Sequence, residues 1–276
     1  MNNLHLFTRQ NIMLLYQYRR ISDYTIKGLQ DQTIHFTCPT KFNAPFDCRI
    51  NFFIDGPDEN WKNYGKRLGM SHEELKRYRD NSTRRKENAG SYDENIKYHI
   101  LKDYLITCFS EIPDDILMWS HYANCHSGIC LIFEASVNPT YPDLPYIEFD
   151  NNDLHYVNQF LQPNQGGIIK VKYSDTMPPE SYDHLNYDKR QITPFLLTKS
   201  KHWEYEKERR MIMTTTELKN DNPRYLPNQL KGVIFGLNSS LDTIKKVRDS
   251  VADKNVQFSL CKAIDNQYKI GFSKIK

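Results

Sequence analysis

HWEYEKERRMIM, residues 202–213, sets three glutamates and two arginines directly before an apolar run. In a strand the side chains alternate, so Glu206, Glu208 and Arg210 would share one face. Met211, Ile212 and Met213, followed by three threonines, support a strand that begins here. Glu206 and Glu208 would then stand roughly 7 Å apart. Carboxylates that close push one pKa up unless a cation such as Arg209 or Arg210 neutralises them. In a helix, Glu206 and Arg210 would instead make an ordinary i, i+4 pair.

The rest of the chain reads as mixed strands and helices without regular strand–helix–strand alternation. Strands are expected over 14–21, 33–38, 105–110, 129–133, 168–173, 232–237, 256–260 and 268–272. Helices are expected over 23–29 behind Ser22 or Asp23, over 116–124 behind Pro113-Asp114-Asp115, over 192–201, and over 241–252 behind Ser240. Residues 138–167 are rich in proline and glycine and read as loops. The pattern specifies an α+β fold with a mixed central sheet and flanking helices, formed as a single domain over 1–276. A polar helical layer is inserted near 57–104, with Ser71 and Glu74 spaced as a capping box and a basic patch at Arg84, Arg85 and Lys86.

Composition narrows the function classes. A net charge of +3 is too small to imply a nucleic-acid partner by itself. No apolar stretch approaches the roughly 20 residues of a membrane span, so no membrane partner is expected. The N-terminus lacks an uninterrupted apolar core, so a signal peptide is not expected. Six scattered cysteines without a CxxC pair read as reduced thiols in a cytoplasmic protein. No P-loop, GxGxxG, HExxH or GxSxG pattern occurs.

Four constellations could carry chemistry. Tyr16, Tyr18 and Arg19 put aromatic rings and a cation at one strand, able to stack a base and hold a phosphate; Arg19 faces away from the tyrosines. FNAPFD, residues 42–47, can brace a turn through Asn43 and Asp47. MWSHYANCHSG, residues 118–128, offers His121 as a hydrogen-bond donor or general base beside Trp119 and Tyr122. A zinc reading of His121, Cys125, His126 and Cys130 fits poorly, because the last pair runs into an apolar strand, and no metal site is expected. The fourth is the opening glutamate segment, where a carboxylate can steady an oxocarbenium ion at a ribose carbon.

Taken in order, Tyr-x-Tyr-Arg at 16–19, Phe-Asn-x-Pro-Phe-Asp at 42–47, Cys-Phe-Ser at 108–110, Met-Trp-Ser-His-Tyr-Ala at 118–123 and Trp-x-Tyr-Glu-x-Glu-x-Arg at 203–210 resemble the bacterial domain-of-unknown-function family 2971. The resemblance runs from about residue 14 to about residue 237, with variable segments between. Ala44 stands where the family usually has aspartate, and Asp47 where it has glutamate. The family's layout is similar in outline to ADP-ribosyltransferase-like folds. That likeness implies NAD as substrate, with Tyr16, Tyr18, Arg19 and Arg210 holding it, Trp119, His121 and Tyr122 lining the nicotinamide pocket, and Glu206 or Glu208 catalytic. It further implies a toxin or antiphage effector. Two other classes stay open: a nucleotide or nucleic-acid binding module without chemistry, using Arg84 to Lys86, and a metal-dependent nuclease built on Asp47, Glu206 and Glu208.

Overall fold

A computed structural model describes residues 11–42, 46–50, 52–53, 56–87, 100–155, 159–178, 182–183, 185, 191–251 and 255–275, with the side chains of 11, 52–53, 82–87 and 182–183 outside that set. In chain order the elements begin with β1 (Asn11–Arg19), α1 (Asp23–Asp31), β2 (Phe52–Phe53), α2 (Asp58–Arg67), α3 (His72–Glu87), β3 (Tyr104–Ser110) and α4 (Ile116–Tyr122). They continue with β4 (Ile129–Val137), β5 (Pro145–Glu148), β6 (Gln165–Lys170), β7 (Lys172–Ser174), β8 (Tyr182–Asp183), α5 (Thr193–Leu197) and β9 (Thr198–Ser200). A 3-10 helix, Lys201–Glu206, leads into β10 (Glu208–Thr214), β11 (Leu230–Phe235), α6 (Leu241–Ser250), β12 (Gln257–Ala263) and β13 (Ile270–Ile275). The fold is α+β.

The chain divides into two compact units. The first comprises 1–39, 103–171 and 202–276 and holds a nine-stranded sheet. Strand β1 pairs with both β3 and β4, so β1, β3, β10, β6, β5 and β4 close on themselves as a six-stranded barrel. Closure removes the open edges that would otherwise invite further pairing. Beyond β4 the sheet continues through β11, β12 and β13, with β11 and β12 running parallel. One face of every barrel strand feeds a common core: Leu15, Phe109, Phe133, Ile147, Ile168 and Met211 are all buried in it. The opposite face of β1, β4 and β11 packs Tyr18, Cys130 and Ile234 against Met118, Trp119 and Ala123. Two-residue side-chain alternation along each strand produces these two faces.

The second unit comprises 40–102 and 172–201. Its α2 and α3 fall in the polar stretch expected to be helical. Trp61, Tyr64 and Leu185 form a small core, with Tyr78 stacked on Tyr64 at 5.6 Å. Ser71 and Glu74 make the expected capping box, with Glu74 accepting from the Ser71 amide at 2.8 Å. Asp47 is buried and paired with Lys199 at 3.8 Å. Asn43, Ala44 and Pro45 of the FNAPFD turn lie outside the described residues, as do the side chains of Arg84, Arg85 and Lys86 on α3.

Several expected boundaries are corrected. Residues 33–38 do not form a strand: Thr33 and Thr37 make only isolated bridges, to Arg224 and Ile106. The helix expected over 192–201 stops at Leu197, and Thr198–Ser200 pairs with Lys172–Ser174 instead. The loop-rich 138–167 contains β5, which joins β4 to β6.

Candidate functional site

Helix α4 begins where sequence chemistry places it. Asp115 caps it by accepting from the Met118 amide at 2.9 Å. The indole of Trp119 donates to the Pro113 carbonyl at 2.8 Å, anchoring the helix to its own lead-in. The helix ends at Tyr122, and Asn124, Cys125 and His126 all take positive φ. This tight reversal returns the chain to β4 at Gly128, where an added Cβ would stand 2.3 Å from the Arg19 carbonyl oxygen. Trp119 is fully buried, edge-on to Tyr18 at 5.2 Å and parallel to His126 at 6.5 Å. His126 approaches the Ser120 hydroxyl at 3.0 Å, and burial lowers its pKa from the ordinary imidazole value.

The glutamate segment is not one continuous strand. Lys207 has φ 46°, which turns the 3-10 helix into β10. Glu206 therefore ends the helix and Glu208 starts the strand, so the expected three-residue strand face reduces to Glu208 and Arg210. Those two form a bidentate ion pair, at 2.7 Å to Nε and 3.1 Å to Nη2, with Arg210 fully buried. Glu206 has other company. Its carboxylate accepts from the Tyr122 hydroxyl at 2.6 Å, and its backbone carbonyl accepts from the Ser110 hydroxyl at 2.6 Å.

Ser110 ties the two glutamates together. It is directly opposite both Tyr16 on β1 and Glu208 on β10, so the three side chains lie in one row on the same sheet face. Around Glu206, Trp203 lies 6.2 Å from His121 and 6.0 Å from Tyr205, and His121 lies 6.3 Å from Tyr122. His121 and Tyr122 are exposed, Trp203 and Tyr205 partly so, and Glu206 is buried.

The structure thus brings Tyr16, Tyr122, His121, Glu206 and Glu208 to one side of the barrel. Tyr18 and Trp119 lie beneath them as packing: the Tyr18 hydroxyl donates to the Ile112 carbonyl at 3.0 Å and burial pushes its pKa up. Arg19 falls on the other sheet face with Leu15 and Gln17, and burial lowers the pKa of its guanidinium. Arg210 is committed to Glu208. Ser110 and Trp203 stand inside the sequence motifs, but nothing in their local pattern assigns either a role. Only the fold shows that one bridges the glutamates and the other stands against His121.

A second charged cluster sits near the start of β10, where Arg209 donates to Glu111 at 2.7 Å and Lys170 to the same carboxylate at 3.2 Å. Among the described residues no group of three or more His, Cys, Asp or Glu side chains is arranged to hold a metal ion. Among the described residues no cysteine is joined in a disulfide. No described helix is long and apolar enough to cross a membrane.

The family model described as a protein of unknown function (DUF2971) matches residues 118–211, which supports membership of that family. The matched segment runs from α4 to β10 and carries His121, Tyr122, Trp203, Glu206 and Glu208. No curated protein and no solved structure matches the chain.

Proposed function

We propose that this DUF2971 member is an ADP-ribosyltransferase-like enzyme that breaks the nicotinamide–ribose bond of NAD, with Glu206 as the carboxylate at the reacting carbon. The observation that carries this reading is the Tyr122–Glu206 hydrogen bond at 2.6 Å, set among aromatic rings at the edge of the barrel. A phenol donating to a carboxylate fixes its orientation and favours its charged form. An anion held in a partly water-excluded setting acts more strongly on a developing cation than it would in bulk water.

The step breaks the C1′–N bond, and its electron pair leaves with nicotinamide, which departs neutral. The ribosyl carbon becomes an oxocarbenium ion facing the Glu206 carboxylate. An acceptor hydroxyl or amine, or water, then bonds to C1′ and loses a proton. Glu206 is favoured over Glu208 because Glu208 already neutralises Arg210 through two hydrogen bonds. Tyr16 and His121 supply rings at the rim, and Tyr122 positions the carboxylate. Transfer to a bacterial acceptor would make the protein a toxin or an antiphage effector.

The test is free nicotinamide released from NAD by purified protein, with and without bacterial lysate, RNA or DNA. Glu206→Gln is expected to keep the wild-type circular dichroism spectrum and melting temperature while losing release by a hundredfold or more. Release at the wild-type rate by Glu206→Gln, or no release by the wild type under any of these conditions, refutes the assignment.

A further inference from the structure

We infer that His121 and Trp203 form a stacking edge for a nucleobase beside Glu206. This deepens the function proposed above, since it takes the Glu206 carboxylate as the reacting group.

The two rings come from separate elements, α4 and the 3-10 helix, and meet at 6.2 Å with their planes 64° apart. They are held from below by structure that does not move easily. His121 follows directly on Trp119 and Ser120, whose indole and hydroxyl are tied to the Pro113 and Ile116 carbonyls. The 3-10 helix is tied at its far end by the Ser110–Glu206 bond. Pre-positioned rings bind a flat ligand without first losing much side-chain freedom.

Exposure distinguishes Trp203 from the other two tryptophans of the molecule. Trp119 and Trp61 are 0% and 2% exposed and serve as core, whereas Trp203 reaches solvent in part and His121 is exposed. A half-wet indole and an exposed imidazole next to a buried carboxylate offer little to an aliphatic ligand. They offer a π-face to a planar heterocycle, and every nucleobase has one. The base can come from a free nucleotide, the adenine of NAD included, or from a single strand that serves as acceptor.

Trp203 also provides the readout, because it is the one tryptophan of the three with solvent access. Tryptophan emission of the full chain is titrated with adenosine monophosphate, with a single-stranded octamer of deoxyadenosine, and with ribose 5-phosphate as the baseless control. Saturable quenching by the first two and none by the third is expected. In Trp203→Leu the remaining emission should not respond, and calorimetry should show affinity weakened about tenfold or more. His121→Ala keeps the fluorophore and should weaken binding about fivefold. An octamer that binds at least tenfold tighter than the mononucleotide identifies a strand as the source of the base; equal affinities identify a free nucleotide. Absence of saturable quenching, equal quenching by ribose 5-phosphate, or unchanged affinity in both variants overturns the proposal. Quenching without nicotinamide release would remove the NAD reading and leave the stacking edge. Release without quenching would do the reverse.

Discussion

Arg210→Met should destabilise the protein severely, because Arg210 is paired with Glu208 in a buried setting. Arg210 is fully buried and Glu208 is 5% exposed, and the pair shares two hydrogen bonds of 2.7 and 3.1 Å. Removing the guanidinium leaves the Glu208 carboxylate in a water-poor site without the cation that holds it through two hydrogen bonds. Breaking a buried pair in this way costs about 3–5 kcal/mol. For a chain of this size each kcal/mol lowers the melting temperature by about 2–4 °C, so a fall of roughly 6–20 °C is expected. The double variant Glu208→Leu with Arg210→Met removes both charges and should recover much of that loss, because the attraction and the desolvation penalty vanish together. Urea denaturation of the wild type, both single variants and the double variant would give the coupling energy. Single variants within about 1 kcal/mol of wild type, or losses that simply add in the double variant, would falsify the structural role assigned to this pair. The same experiment separates the glutamates: Glu208→Gln is expected to lose stability, Glu206→Gln activity.

Gly236→Ala should cost about 3 kcal/mol, at the upper end for overpacking, because its Cβ would stand 2.1 Å from the His126 carbonyl oxygen and 3.2 Å from that of Gly128. Backbone on both sides cannot swing away as a side chain would, and a wild-type melting temperature would count against the close approach of β11 to the turn after α4. Acid stability should depend on Glu111. Burial alone would raise its pKa, but the hydrogen bonds from Arg209 and Lys170 outweigh that and hold it below the ordinary carboxylate range. A depressed folded-state pKa contributes stability above about pH 4 to 5 and loses it as pH falls through the lowered value. Glu111→Gln should therefore be less stable than wild type at pH 7, with the gap narrowing toward pH 3. A gap that stays constant across that range would show that Glu111 gains nothing from its two cations.

Local chemistry made much of the scaffold legible from sequence. The apolar runs at 105–110 and 129–133 are strands because their side chains suit a pleated, half-buried surface, and Ser22, Asp115 and Ser240 cap helices as their hydroxyl and carboxylate oxygens allow. Five of the residues that the motifs singled out, Tyr16, His121, Tyr122, Glu206 and Glu208, come to one side of the barrel. Where the reading failed, the deciding partner lay far away in the chain. Residues 33–38 alternate like a strand but find only isolated bridges, and 198–200 leave the helix to pair with 172–174.

The sequence by itself determined the α+β class, most strands and the helix starts, because propensity, capping and side-chain period act within a few residues. Only the structure shows that β1 pairs on both edges and closes a barrel, that Lys207 turns the chain between Glu206 and Glu208, and that the Tyr122 hydroxyl reaches Glu206. The barrel closure and the Tyr122 contact depend on segments 84 to more than 100 residues apart, such as Tyr122 with Glu206 and Tyr18 with Cys130 across β1 and β4. No local pattern encodes which distant hydroxyl will meet a given carboxylate.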